Sequence, residues 1–119
     1  MPHIDPTGAQ LRALAEAALD GPIVMLNLLR FAADGGAERY ARYIEAATPH
    51  LERAGGKLRF LGDARATVIG DEDWDEVLLV EYPSCEAFLT MIRDPDYPSG
   101  LRSAALADSR LICTTARRG

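Results

Sequence analysis

Two polar side chains interrupt apolar, strand-like stretches: Asn27 in GPIVMLNLLRF and Glu81 in WDEVLLVEYP. An amide can donate and accept hydrogen bonds at once. A carboxylate drawn into an apolar enclosure has its pKa raised toward the range of a general base. Side by side in a pocket, the two would give an orienting group and a base for a small organic molecule. Trp74 and Tyr43 would supply flat walls, and Met25, Leu29 and Leu79 an apolar lining. The plainer alternative is that Asn27 and Glu81 satisfy each other or bridge two subunits, since buried polar groups are generally paired whatever their role. A module that only captures a ligand would use the same residues. Glu81→Gln separates the cases: an enzyme loses turnover and keeps binding, whereas a binder changes only in affinity.

Other chemistry is thinly supplied. His50 lies on or beside the apolar stripe of a helix and His3 near the chain start, so their separation argues against a metal site. Cys85 and Cys113 have neither metal-ligand spacing nor the number of a disulfide framework, and read as small buried hydrophobes. Arg102, Asp108 and Arg110 suggest an Arg–carboxylate pair pinning a loop. Arg30 has the opposite parity to Asn27 and is expected to reach water or cap a helix end. Trp74 reads equally as a core or rim aromatic. Phosphate loop, GxSxG elbow and HExxH are absent, and nothing implies a cofactor.

The elements that must position these residues follow from periodicity. In DPTGAQLRALAEAALDG, Asp5 is placed to cap a helix and Pro6 suits its first turn; Leu11, Leu14, Ala15, Ala18 and Leu19 form the stripe. Residues 23–31 read as a strand. Tyr40, Tyr43, Ile44, Ala47 and Leu51 then give an apolar helical stripe. Pro49 is expected to kink or restart that helix, and Gly55-Gly56 ends it. KLRFLGDARATVIG reads as an imperfect strand with Gly62 marking a bulge. WDEVLLVEYP is a third strand, and Ser84 caps a helix over SCEAFLTMIRD. A short helix precedes a last strand in SRLICTTA. The order is β-α-β-β-α-β after an N-terminal helix: an α+β, ferredoxin-like domain. Residues 1–119 form one domain, with the added helix in 1–20 and the core in 21–116.

Such a sheet is covered by helices on one side only. Alternation puts Val24, Leu26 and Leu28 on one face of the first strand and Met25, Asn27, Leu29 and Phe31 on the other. In the third, Leu78, Val80 and Tyr82 oppose Asp75, Val77, Leu79 and Glu81. With the wholly apolar sets turned to the helices, the bare face carries Met25, Asn27, Leu29, Val77, Leu79 and Glu81. So apolar a face does not stay in water. The expected partner is a second copy, two sheets closing on each other as a dimeric α+β barrel with a space for a small organic ligand.

Composition narrows the classes. The net charge of −5 across 119 residues, without a basic stripe, argues against nucleic acid. The terminal ARRG reads as a solvated tail. No apolar run is long enough for a membrane span, and MPHIDPTGAQ is unlike a secretion signal. A cytoplasmic homodimer is expected. In order along the chain, MLNLLRF, ERYARYIEAA, GGKLRFLG, WDEVLLVEYPSCEAFLTMIRDPDY and AALADSRLI resemble the DUF1330 family, a domain of unknown function. The similarity runs from about Gly21 to Ile112. It implies the closed-sheet dimer, and it places the chain near barrel proteins that include cofactor-free monooxygenases, isomerases and dehydratases. The chain departs from the family in a short AADGG loop and in Leu101, where a His is common. The family supplies no settled catalytic residues.

Overall fold

The computed structural model describes residues 2–117; the last two residues of the ARRG tail lie outside them. The elements run α1 (Gly8–Glu16), β1 (Ile23–Phe31), α2 (Gly36–Arg53), β2 (Lys57–Asp63), β3 (Glu76–Tyr82), α3 (Cys85–Arg93), α4 (Ser99–Ala105) and β4 (Leu106–Thr114). The four strands form one antiparallel sheet in the order β2-β3-β1-β4. This is the ferredoxin-like α+β arrangement.

Local chemistry sets the boundaries, not always where the sequence alone suggests. Thr7, rather than Asp5, caps α1, and Gln10 completes a reciprocal capping box with it. Asp5 instead accepts from the Ser103 hydroxyl at 2.6 Å. Ser84 caps α3 as expected, accepting from the Ala87 amide. Pro49 lies inside an unbroken α2. Gly55, at φ +77°, turns the chain out of that helix. The bulge in β2 falls between Leu58 and Phe60, at Arg59, and not at Gly62. Gly62 serves another purpose. A Cβ there would stand 2.6 Å from the Phe60 ring, so the glycine lets that ring lie flat over the strand.

The core fills the space between sheet and helices. Ile23, Met25 and Leu29 of β1 and Leu78, Val80 and Tyr82 of β3 pack with Tyr40, Tyr43 and Ala47 of α2 and with Phe88, Leu89 and Met91 of α3. Ile23 and Leu29 are fully buried. The β3 alternation therefore falls as expected, and that of β1 is inverted. Register proves it: Val24 faces Glu81, Leu26 faces Leu79 and Leu28 faces Val77, and directly opposed residues share a face. Met25, Asn27 and Leu29 point to the helices. The bare face carries Val24, Leu26, Leu28 and Arg30.

Residues 3–5 tie the N-terminal segment down. The His3 amide donates to Asp108, its carbonyl accepts from the Ser109 hydroxyl, and the Ile4 carbonyl accepts from Arg102 at 2.8 Å. This segment straps the start of β4 to α4.

Candidate functional site

The inversion of β1 divides the expected site between the two sides of the sheet. Glu81, Leu79 and Trp74 belong to the bare face. Asn27, Met25, Leu29 and Tyr43 belong to the helix side, with Met25, Leu29 and Tyr43 inside the core. Asn27 faces Leu78 and Leu111 across the ladder and is half-buried. It does not adjoin Glu81, which points the other way. Both alternating sets of β1 are apolar enough to be buried, and a single amide is the wrong criterion for choosing between them.

The bare face has an apolar middle and charged ends. Ile112, Leu26, Leu79 and Phe60 form a row across all four strands. The row beside it holds Leu28 and Val77. At one end, Arg59 donates from Nε to Glu81 at 2.8 Å. That bond, more than any other influence, lowers the Glu81 pKa below its ordinary value. This reverses the expected rise and leaves a paired, ionised carboxylate.

At the other end two guanidinium groups lie against the Trp74 ring, Arg30 at 5.2 Å and Arg110 at 5.1 Å from its centre. Arg30, expected to reach water or cap a helix end, is partly exposed and donates to the Asp73 carbonyl from Nε and Nη2. Arg110 pairs with Asp108 and with Glu72, each at 2.9 Å. These arginines clamp the loop after β2 and aim Trp74 along the sheet. Asp75 helps from the loop side by accepting the Phe31 amide at 2.8 Å. Beside Trp74 a cavity of about 130 Å³ is lined by Leu28, Ala64, Arg65, Thr67, Asp73 and Val77.

The helix side carries a second polar group that the residue pattern does not single out. Phe31, Tyr40, Tyr43, Tyr97 and His50 form a chain of ring contacts with centres 5.3–6.2 Å apart. The Tyr43 and Tyr97 hydroxyls share a short hydrogen bond. His50 packs edge-on against Tyr97 and lies 3.9 Å from Asp94. Arg102 joins this region instead of Asp108. A signal for it exists in the sequence: Tyr40, Tyr43, Ala47 and His50 share one helical stripe, and its hydroxyls and imidazole matter as much as its apolar content. Both cysteines are free, and burial raises their pKa. Among the described residues no cluster of side chains could hold a metal ion, and no helix is long and apolar enough to cross a membrane.

A one-layer sheet with helices on one side, an open apolar face on the other and an arginine-clamped tryptophan at its end defines an α+β protein of ferredoxin-like fold. The domain of unknown function DUF1330 matches residues 35–114, and the chain belongs to that family. A protein of unknown function from Rhodopseudomonas palustris is similar at 42% identity, with 100% of each chain covered and a TM-score of 0.90. More distant likenesses bear on the fold alone. A Dabb family protein from Mesorhizobium loti matches at 13% identity and TM-score 0.56, over 83% of this chain and 100% of its own. A dimeric ferredoxin-like protein from Thermobifida fusca matches at 13% and 0.55, over 81% and 92%. No functionally curated protein matches the chain.

Proposed function

We propose that the protein works as a homodimer closed through its bare sheet face, and that it binds a small organic molecule in the Trp74 cavity at the edge of that interface. The observation that carries this reading is the uncovered row Ile112–Leu26–Leu79–Phe60 with the apolar residues beside it. Four strands of seven to nine residues present a face of about 26 Å by about 19 Å from strand rise and spacing. Two such faces pressed together bury roughly 1,000 Å², the level at which specific interfaces begin. Their anatomy suits the purpose: the apolar residues are central, and Arg59, Glu81, Arg30 and Arg110 lie at the rim. The Thermobifida fusca protein of similar fold is described as dimeric, in keeping with this closure.

The space of about 130 Å³ is a half-open groove with polar and apolar walls, room for a small organic molecule. Trp74 offers it a ring with the Arg30 and Arg110 guanidinium groups against it, and the Thr67 hydroxyl is committed to the Glu72 carbonyl at 2.7 Å. The chemistry favours binding over proton abstraction. Glu81 is paired with Arg59 and held ionised below its ordinary pKa, which makes it a weak base. Native mass spectrometry of the purified protein, followed by denaturing analysis of what it releases, tests both parts. A dimer that retains a small molecule, or takes up phenol with a change in Trp74 emission, supports the reading. A monomer removes the interface, and a dimer indifferent to phenol removes the site.

A further inference from the structure

The turn between β2 and β3 is far longer than the hairpin needs. Asp63 and Glu76 still face each other across the ladder, and a hairpin turn ordinarily takes about 2–5 residues. Here residues 64–75 leave the sheet and return to it. Their base is fixed at many points. The Ala64 amide donates to the Asp75 carbonyl at 3.0 Å, and the Asp75 amide to the Leu29 carbonyl at 2.7 Å. Thr67 Oγ1 donates to the Glu72 carbonyl at 2.7 Å, Arg110 to the Glu72 carboxylate at 2.9 Å and Arg30 to the Asp73 carbonyl. These bonds make the segment an arm of defined shape rather than slack chain.

Its tip is apolar and stands in water. Val68 is 91% and Ile69 94% exposed, whereas the other exposed large apolar side chains among the described residues lie between 36% and 55%. Two β-branched side chains held out in this way gain almost nothing from the chain that carries them. Apolar surface so presented marks contact with another molecule.

Continuity, area and charge indicate which molecule. The arm springs from the bare sheet face: Leu28 and Val77 of that face line one cavity with Ala64, Arg65, Thr67 and Trp74. The two sheet faces alone bury roughly 1,000 Å², only the threshold for a specific interface. Full burial of an aliphatic side chain removes roughly 100 Å² from water. The four on two arms bring the total to about 1,400 Å², inside the range of stable interfaces. Asp71, Glu72 and Asp73 follow the tip, and the chain carries a net charge of −5, so anionic lipid headgroups would repel it.

We infer that each 64–73 arm reaches across the dimer and seats Val68 and Ile69 on the second copy, holding the pair together alongside the sheet faces. The inference rests on the dimer proposed above and adds to it a separate part of the contact. It also ties the Trp74 cavity to assembly, because the arm that the second copy grips is the arm that lines the cavity.

Sedimentation equilibrium on the full chain and on the double variant Val68→Ser/Ile69→Ser provides the test. Neither side chain is covered by its own chain, so the far-UV circular dichroism should not change. The dissociation constant should rise at least about a hundredfold, because four apolar side chains lose their burial. Benzoylphenylalanine in place of Ile69 should photo-crosslink the protein into a covalent dimer, and the same group in place of Glu45, exposed on α2, should not. A parent that stays monomeric overturns the dimer and the inference with it. A dimeric parent with an equally dimeric double variant, or without a crosslink from position 69, overturns the arm contact alone and leaves the sheet closure standing. Binding of the parent to phosphatidylcholine vesicles that the double variant loses, with the dimer unchanged, would assign the tip to a membrane instead. An unfolded double variant would also overturn the inference, since the tip would then belong to the chain's own core.

Discussion

Leu26→Glu puts the proposed interface to its strictest trial. Leu26 is at the centre of the sheet, between Leu79 on β3 and Ile112 on β4. It keeps some exposure in the single chain, so the domain should fold with a glutamate there. A two-fold dimer counts every interface residue twice. Fully burying an exposed leucine is worth about 1.5–3 kcal/mol, but Leu26 is already mostly covered, so the interface adds roughly 0.5–1 kcal/mol per copy and about 1–2 kcal/mol for the pair. At about 1.4 kcal/mol for each tenfold step, the dissociation constant should rise by roughly 5–30-fold from this loss alone. Two carboxylates facing each other across the interface add to it. Sedimentation equilibrium over a range of concentrations reads the constant, and far-UV circular dichroism confirms the fold. Equal association of variant and parent would refute the reasoning, because it would mean that this row touches nothing. An unfolded variant would equally refute it, by showing that Leu26 belongs to the core.

Further outcomes are expected. Gly36→Ala brings a Cβ within 2.7 Å of the Ala105 carbonyl and 3.0 Å of Phe31; overpacking of this kind costs about 1–3 kcal/mol. Its Tm should fall by roughly 4–8 °C per kcal/mol, and an unchanged Tm would mean that α2 and α4 move apart freely. Tyr97→Phe leaves the Tyr43 hydroxyl without its partner and should cost about 1–3 kcal/mol. The double variant with Tyr43→Phe should recover much of that, since removing both partners of a bond is milder than removing one; urea unfolding gives both values. Asp108 has its pKa lowered below 3.8, chiefly by the His3 amide. A lowered folded-state pKa gives stability that is present above the unfolded value and lost as pH falls through the folded one. Asp108→Asn should therefore be less stable than the parent at pH 6, and the difference should close below pH 3.8. Equal slopes in acid would show that the His3 contact does not bear on stability.

Much of the architecture was legible because it rests on local chemistry. β1 is bounded by Gly21-Pro22 and the AADGG turn. The tyrosine stripe of α2 and the Ser84 cap of α3 fall where spacing puts them. What escaped depended on register. Val24, Leu26 and Leu28 differ little in apolar character from Met25 and Leu29, so β1 alone cannot choose its buried side. Arg30 shares the parity of Leu26 and Leu28, and it was the better guide, since a guanidinium belongs with the open face. Asn27 and Glu81 do sit on neighbouring strands, yet opposite parity separates them. The Arg59 bulge was hidden because it appears only in the register of β2 against β3, while Gly62 drew notice through a flexibility it uses for Phe60 instead. Arg102 escaped because its partners, Ile4 and the tyrosines, are distant in sequence.

The bulge at Arg59 also bears on how far assembly can proceed. β2 is an edge strand, and Leu58, Phe60 and Leu61 on it are each at least half exposed. A straight edge so apolar would invite another strand to add on, and then another. The extra residue breaks the even spacing of the edge amides, and Lys57, Arg59 and Asp63 leave charge along it. If the sheets close as proposed, the flat face is used up by one partner, and the bulged, charged β2 edge is a poor template for a further strand.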